Sequence, residues 1–256
     1  QENVAVILGP GANIKRTPLC GRNFEYCGED PFLSSRVGTE YVKGVQVNKV
    51  AATVKHYAVN FQEYDRHHVS SDCDERTLRE VYLPAFESAV MEGGVGCVMN
   101  AYNLVNGEHC SQHDHLNNSI LKGEWGFEGV LMSDWVSTYD TVGTALGGLD
   151  LEMPEADVWE ESKVRKAIGN GLIPIECIDD KVRRLLRLML AFNWLGTEQK
   201  DSSIPEDDPK TAEVARRVLL SGAVLLKNRD NILPLNKGTL NSVAVIGPHS
   251  APAVIG

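Results

Sequence analysis

The chain has 256 residues, of which 43% are hydrophobic and 23% are charged, a composition that excludes disorder and collagen-like repeats. No apolar run approaches the roughly eighteen residues that a membrane helix needs, so we expect no membrane partner. The 25 Lys and Arg residues against 35 Asp and Glu residues give a net charge of -10, and no basic stripe offsets it, which excludes nucleic acid as a partner.

Five short apolar runs predict the strands of a buried sheet. They are rich in β-branched residues and short enough to be parallel strands that are covered on both faces. The runs occupy residues 4–9, 51–56, 96–101, 129–134 and 148–153.

Two stretches between and after these runs predict helices. Across residues 75–92 apolar side chains recur with the helical period, Gly93 and Gly94 end the pattern, and Pro84 is expected to kink it. The second helix is predicted for residues 179–190, with Asp179 or Asp180 as its N-cap. Alternating strands and helices favour an α/β fold with a parallel sheet.

The stretch 196–209 combines charge, Ser and Pro with almost no apolar content, so we interpret it as a linker between two domains. Residues 1–195 then form the first domain. Residues 210–256 begin a second α/β domain, with an apolar helical face that includes Val214 and Val218 and a strand at residues 242–248.

Polar residues close the predicted strands. The carboxyl ends of parallel strands converge in a (β/α) barrel, where they build the active site, and a doubly wound open sheet places polar groups similarly. The pattern therefore indicates a site and leaves both topologies open. These residues are Lys55, His56, Asn100, Tyr102, Asp134, Trp135, Asp150 and Glu152.

Five motifs in order resemble glycoside hydrolase family 3, the β-glucosidase and β-xylosidase family. The resemblance implies a (β/α)8-type TIM barrel, incomplete in this chain, as the catalytic domain over residues 1–195. It also implies that the start of an α/β sandwich domain follows the linker. The motifs are KRTPLCGRNFEYCGEDPFLS, VKHYAVN, VMNAYNLVNG, GFEGVLMSDW and GLDLEMP.

The resemblance assigns the catalytic nucleophile to Asp134, the Asp of the SDW motif. A retaining glycosidase needs such an ionised carboxylate to attack the anomeric carbon, and a second carboxyl about 5 Å away to protonate the leaving oxygen. The chain is therefore expected to be an enzyme that removes terminal β-D-glucosyl or related residues from a β-linked glucoside or oligosaccharide.

The resemblance also implies the residues that bind the sugar, and it implies no cofactor and no metal. Charged donors bind the hydroxyls of the first subsite, and aromatic or apolar side chains line it. The charged donors are Arg22, Lys55 and His56, and the lining residues are Met99, Tyr102 and Trp135.

Two carboxylates of the family pattern lie outside this sequence. One is the acidic residue of an upstream DGPHG-type motif, and the other is the acid/base Glu that most β-glucosidases of the family take from the second domain. The KHxPGHG loop of another subgroup of the family does not occur, because Lys55-His56 is followed by YAVNFQE. We expect the remainder of the same enzyme to complete the site, and the chain alone to hydrolyse β-glucosides poorly or not at all.

Two other functions stay open at this point. A non-catalytic carbohydrate-binding fragment of such an enzyme would need no acid/base residue. A metal-dependent barrel hydrolase is suggested by five histidines, although none forms HExxH. The histidines are His67, His68, His109, His113 and His115.

The resemblance favours a secreted or periplasmic location.

Overall fold

A computed structural model describes residues 4–196, 203, 205, 208–247 and 250. The chain divides into two compact units, residues 1–204 and 205–256. Among the described residues, no helix has the length and apolar content required to cross a membrane.

The central sheet of the first unit confirms all five predicted strands. It has five parallel strands in the order β1-β2-β4-β7-β8, and a small three-stranded sheet contains β3, β5 and β6. The strands are β1 Val6–Ile7, β2 Ala51–Tyr57, β3 Ser70–Ser71, β4 Cys97–Asn100, β5 Leu104–Val105, β6 Glu108–His109, β7 Val130–Trp135 and β8 Leu151–Met153.

Helices cover the sheet and connect its strands, as an α/β fold requires. Two π-helical segments, Leu78–Tyr82 and His115–Glu124, interrupt the regular α-helical pattern. The α-helices of the first unit are α1 Pro31–Gln46, α2 Glu75–Thr77, α3 Pro84–Met91, α4 Thr141–Leu146, α5 Glu161–Gly169 and α6 Ile175–Ala191.

The predicted helix over residues 75–92 is divided into three parts, α2, a π-helical segment and α3. The amide of Leu83 donates to the carbonyl of Leu78, five residues earlier. α3 then begins at Pro84, which lacks an N–H and fits the first helical position. The kink expected at Pro84 is therefore confirmed, and it is accompanied by a π-helical turn on its N-terminal side.

The second predicted helix begins earlier than expected. α6 starts at Ile175 after Pro174, so the prediction that Asp179 or Asp180 is its N-cap is wrong. Pro174 fixes the backbone at the helix start. Both aspartates lie inside α6, where they pair with arginines four residues later, Asp180 with Arg184 at 2.8 Å.

The sheet is buried on both faces, which explains why its strands are continuous apolar runs. On one face Val98 packs in a cluster with Val42 of α1 and Phe86 of α3. On the other face Cys97 and Met99 pack with their counterparts on the neighbouring strands. The alternation along β4 thus divides the core into two layers.

The second unit contains one long helix, α7 Pro209–Gly222, which begins after the N-cap Asp208. Residues 242–247 do not form the predicted strand. A strand requires a partner, and among the described residues of this unit there is no other strand. Most of the predicted linker 196–209 lies outside the described residues, and the sandwich domain stays a prediction.

Candidate active site

Asp134 lies at the carboxyl end of β7, beside the carboxyl end of β2. Its side chain is almost fully buried. Oδ1 accepts a hydrogen bond from the backbone amide of Trp135 at 2.7 Å, and Oδ2 lies 3.3 Å from Nε2 of His56. Within the described part of the chain, Oδ2 has no hydrogen-bond donor of good geometry. One carboxylate oxygen is therefore fixed, and the other is left for a further partner.

His56 is held as a neutral imidazole. Burial lowers its pKa well below the usual value, and the nearby charges of Arg22 and Lys55 lower it further. Nδ1 lies 2.7 Å from the hydroxyl of Tyr26, whose pKa is raised by burial so that the hydroxyl keeps its proton. When Tyr26 donates to Nδ1, the ring proton resides on Nε2, the nitrogen that faces Asp134.

The pKa of Asp134 reflects a balance between burial and local donors. Burial raises it, while the Trp135 amide, the Tyr102 hydroxyl and the charges of Arg22 and Arg66 lower it. The net direction is upward. Ionised Asp134 is thus less well solvated than an exposed carboxylate. Weak solvation makes a carboxylate more reactive toward an electrophile that is bound next to it.

Arg22 and Lys55 meet on a shared carboxylate, Glu25. Arg22 Nε contacts one Glu25 oxygen closely, and Lys55 Nζ lies 3.3 Å from the other. Burial raises the pKa of Glu25, but the hydrogen bond from Arg22 and the charge of Lys55 outweigh it and lower the pKa. The pair of cations is therefore oriented by an ionised Glu25, and one carboxylate partly neutralises them.

The loop that precedes α1 is attached to β2 by backbone contacts. The Asn13 side chain donates to the carbonyl of His56 and accepts from its amide, both at 2.8 Å. Gly11 bridges to Lys55 and to Tyr26, and an added Cβ would lie 2.9 Å from the Tyr26 ring. Glycine is favoured at this position because the Tyr26 ring and the Glu25 carbonyl leave little space for a side chain.

Tyr102 follows β4, the strand that lies between β2 and β7 in the sheet. The guanidinium of Arg66 lies over its ring at 3.9 Å from the centroid, and the ring of His67 meets its edge at 4.6 Å. Burial and the charge of Asp134 raise the pKa of Tyr102 to about 12, so its hydroxyl is a donor. Six of the seven predicted site residues lie at this end of the sheet with a polar group or an exposed ring. They are Arg22, Lys55, His56, Tyr102, Asp134 and Trp135.

Met99 and Trp135 differ in exposure. Trp135, at the end of β7, is 39% exposed, and its backbone amide contacts Asp134. Met99 is 1% exposed and packs in the core with Cys97, because alternate residues of β4 point into that layer. Met99 is therefore covered by core side chains in this structure, and its role in lining the sugar subsite stays a prediction.

Three other residues at strand ends support the fold. Glu152 accepts the backbone amides of residues 157, 158 and 159. Asp150 pairs with Lys122 at 2.7 Å and accepts the amide of Leu131. The Asn100 side chain donates to the carbonyl of Tyr57. Their side chains are occupied by these contacts, so sequence position alone overstated the size of the site.

Glu25, Tyr26 and Arg66 are site residues that the sequence analysis did not select. Glu25 and Tyr26 belong to the same GRNFEY segment as Arg22, and that neighbourhood was the available signal. Arg66 lies in the loop after β2, and no local pattern predicts that it packs on Tyr102.

The histidines proposed as metal ligands lie in separate contacts. His67 Nδ1 lies 3.1 Å from the Tyr139 hydroxyl, His109 stacks on the ring of Tyr139, and His115 pairs with Glu75. Within the residues that the structure describes, no group of three or more His, Cys, Asp or Glu side chains is arranged to hold a metal. The metal-hydrolase alternative gains no support from these contacts.

Comparison with known proteins identifies the family. The profile described as "Glycosyl hydrolase family 3 N terminal domain" matches residues 2–188. The chain is 43% identical over 246 residues to thermostable beta-glucosidase B of Acetivibrio thermocellus, covering 96% of this chain and 32% of that protein. It is 43% identical over 257 residues to a beta-glucosidase of Rhizobium radiobacter, covering 98% of this chain and 31% of that protein.

Solved structures agree with this result. The GH3 beta-glucosidase of Bifidobacterium adolescentis superposes with a TM-score of 0.84 at 40% identity, over 92% of this chain and 34% of that one. A beta-glucosidase of Kluyveromyces marxianus in complex with glucose gives 0.82 at 41% identity, over 91% and 29%. The chain thus spans about a third of the length of these relatives. On the profile match and these identities, the chain belongs to glycosyl hydrolase family 3.

Proposed function

We propose that this chain supplies the nucleophile and the sugar-binding residues of a retaining β-glucosidase. The observation that carries the proposal is the convergence of Asp134, His56, Lys55 and Arg22 at one end of the parallel sheet. The named relatives are beta-glucosidases, and the Kluyveromyces marxianus structure contains glucose. Both facts favour a β-linked glucoside or oligosaccharide as the substrate.

In this mechanism Asp134 Oδ2 attacks the anomeric carbon. A C–O bond to the aspartate forms as the glycosidic bond breaks, and the departing oxygen receives a proton from a general acid. Water then displaces the aspartate and releases the sugar. The amide of Trp135 keeps Oδ1 in place during both steps, so that only Oδ2 changes its bonding.

The cations bind and orient the sugar. Arg22 donates to Glu25 through Nε. Among the described residues, no hydrogen bond is made by the two terminal nitrogens of the Arg22 guanidinium. Those donors, together with Lys55 Nζ and the Nε2 proton of His56, are suited to sugar hydroxyls, and charged donors bind them more strongly than neutral ones. Trp135 and Tyr102 offer ring surface to the apolar face of the sugar.

The general acid and the rest of the barrel belong, in this proposal, to other parts of the enzyme. The five parallel strands are part of a (β/α)8-type barrel, and the unit at residues 205–256 is the start of a sandwich domain. The other carboxylates near the described site, Glu25 and Glu63, are each paired with an arginine. Burial raises the pKa of Glu25, but the hydrogen bond from Arg22 and the charge of Lys55 lower it overall, which makes Glu25 a poor proton donor.

That same observation favours a second candidate, a carbohydrate-binding module that does not catalyse. The variant Asp134→Asn separates the two, because it keeps the shape of the site and removes the nucleophile. In the full-length enzyme we expect hydrolysis of an aryl β-glucoside to fall at least about a thousandfold while glucose binding, measured by calorimetry, changes only a few-fold. Unchanged hydrolysis would overturn the nucleophile assignment, and absence of any hydrolysis in the unsubstituted enzyme would favour the binding module.

A further inference from the structure

A lysine and a cysteine meet in the loop that precedes α1, and the proposed hydrolysis uses neither. Lys15 Nζ lies 3.5 Å from Sγ of Cys20. The two residues are 8% and 5% exposed. Lys15 Nζ also donates to the carbonyl of Asn60 at 3.1 Å and lies 3.7 Å from the centroid of the Tyr26 ring. The amine is thus fixed against the thiol by contacts from two other segments.

The surroundings of the pair favour a reaction between its two atoms. Burial lowers the pKa of Lys15, so the neutral, nucleophilic amine is easier to reach than in an exposed lysine. Cys20 is a free thiol, as are the other five cysteines of the chain, so no disulfide competes for it. A thiol that is oxidised to a sulfenic acid condenses with a nearby nucleophile, and here the nearest one is the amine.

We propose that Lys15 and Cys20 are a peroxide-sensitive pair that becomes joined through a bridging oxygen, Nζ–O–Sγ. One hydrogen peroxide converts the thiol into a sulfenic acid: the S–O bond forms, the O–O bond breaks and water leaves. A second peroxide transfers an oxygen to the neutral amine and gives a hydroxylamine and water. The hydroxylamine oxygen then attacks the sulfur and displaces hydroxide. The hydroxide takes up the proton of the hydroxylamine O–H and leaves as water. Thiol, amine and two peroxides thus give one cross-link and three waters.

The measured separation favours a bridge with an oxygen over a direct bond. Single bonds of sulfur are about 2 Å long, so a direct S–N bond would require the two atoms to close much of the 3.5 Å gap. Lys15 is restrained against such a movement by Asn60 and Tyr26. An inserted oxygen adds a second bond and spans most of the gap with little displacement of either side chain.

The bridge would affect the sugar-binding residues, a consequence that rests on the proposed function. Cys20 is two residues before Arg22, and Lys15 lies over Tyr26, whose hydroxyl contacts His56. A covalent closure of residues 15–20 restricts the movement of this loop while a sugar binds. We therefore expect slower hydrolysis after oxidation and recovery after treatment with a thiol reductant.

Peptide mass spectrometry of the peroxide-treated full-length protein tests the bridge without any activity measurement. Trypsin cleaves after Arg16 and Arg22, so the bridge leaves two peptides joined to each other. We expect the joined pair at the sum of the two peptides plus one oxygen and minus two hydrogens, and its loss after reduction. A joined pair without the oxygen, oxidised Cys20 in an unjoined peptide, or no change at either residue would overturn the proposal.

Two variants sharpen this experiment. Lys15→Arg keeps a positive charge and removes the primary amine, so the joined pair should disappear and Cys20 should oxidise alone. Cys27→Ser, in the same loop, serves as the matched control and should leave the joined pair at its original yield. If the bridge forms but hydrolysis does not respond to it, the bridge stands and its effect on the site is refuted. If the joined pair is found in an enzyme that never hydrolyses glucosides, the proposed function fails and the bridge stands.

Discussion

Burial raises the pKa of Asp134, and the Tyr102 hydroxyl is one of several groups that lower it. A donor that stabilises the ionised carboxylate lowers its pKa, and this hydroxyl counteracts the upward effect of burial on Asp134. The ionised form that the proposed mechanism needs is present above that pKa and is lost as the pH falls through it. The acid limb of the pH–rate profile follows the pKa of Asp134, so its position should depend on the Tyr102 hydroxyl.

We predict that Tyr102→Phe moves the acid limb of kcat/KM to higher pH, because the substitution removes a donor and the pKa of Asp134 rises. Profiles of the full-length enzyme on an aryl β-glucoside, with and without the substitution, measure the shift. Tyr64→Phe, at an exposed position outside the site, is the control and should leave the limb in place. An acid limb that stays fixed or moves to lower pH in Tyr102→Phe would contradict this role.

The residues that could not be predicted are those whose contacts join distant parts of the chain. Asp134, Lys55 and His56 were recognisable because each closes an apolar run, and Arg22 and Tyr102 because their motifs resemble the family. Arg66 meets Tyr102 from a loop 36 residues away in sequence, and nothing local announces that contact. Met99 was expected to line the subsite; the alternation along β4 packs it with Cys97, and its contact with a sugar stays a prediction.

At the scale of elements, the five predicted strands of the first unit are confirmed, whereas the predicted helix boundaries are not. A buried parallel strand is a short apolar run, so composition alone locates it. α6 begins after Pro174, which overrides the local preference of Asp for N-caps. The break before α3 follows a π-helical turn. Residues 242–247 have the composition of a strand, yet strand formation requires a partner.

The segment after β8 gives a prediction about stability. The carboxylate of Glu152 gathers three successive amides and the hydroxyl of Thr138. Glu152→Gln replaces one acceptor oxygen with an amide donor, and we expect the free energy of unfolding to fall by about 1–3 kcal/mol in urea titrations. Glu155→Gln, three residues later and exposed, should change it by less than about 0.5 kcal/mol. Equal losses in the two variants would show that the three amides do not depend on Glu152.

For the molecule as a whole, the proposed function assigns a nucleophile and sugar donors to one end of the parallel sheet. It spans about a third of its relatives, and the proposed mechanism takes the general acid from outside the described residues. When the leaving group is a good one, formation of the glycosyl-aspartate depends less on the acid/base residue than its hydrolysis does. The nucleophile can therefore be tested separately from the acid.

The most direct test of the account is to trap the intermediate with a 2-deoxy-2-fluoro glucoside that carries a good leaving group, and to locate the label by peptide mass spectrometry. In the full-length enzyme we predict one fluoroglucosyl group on Asp134. We expect the same peptide to stay unlabelled in the Asp134→Asn variant. A label on another carboxylate, or an enzyme that hydrolyses glucosides yet takes no label on Asp134, would contradict the account.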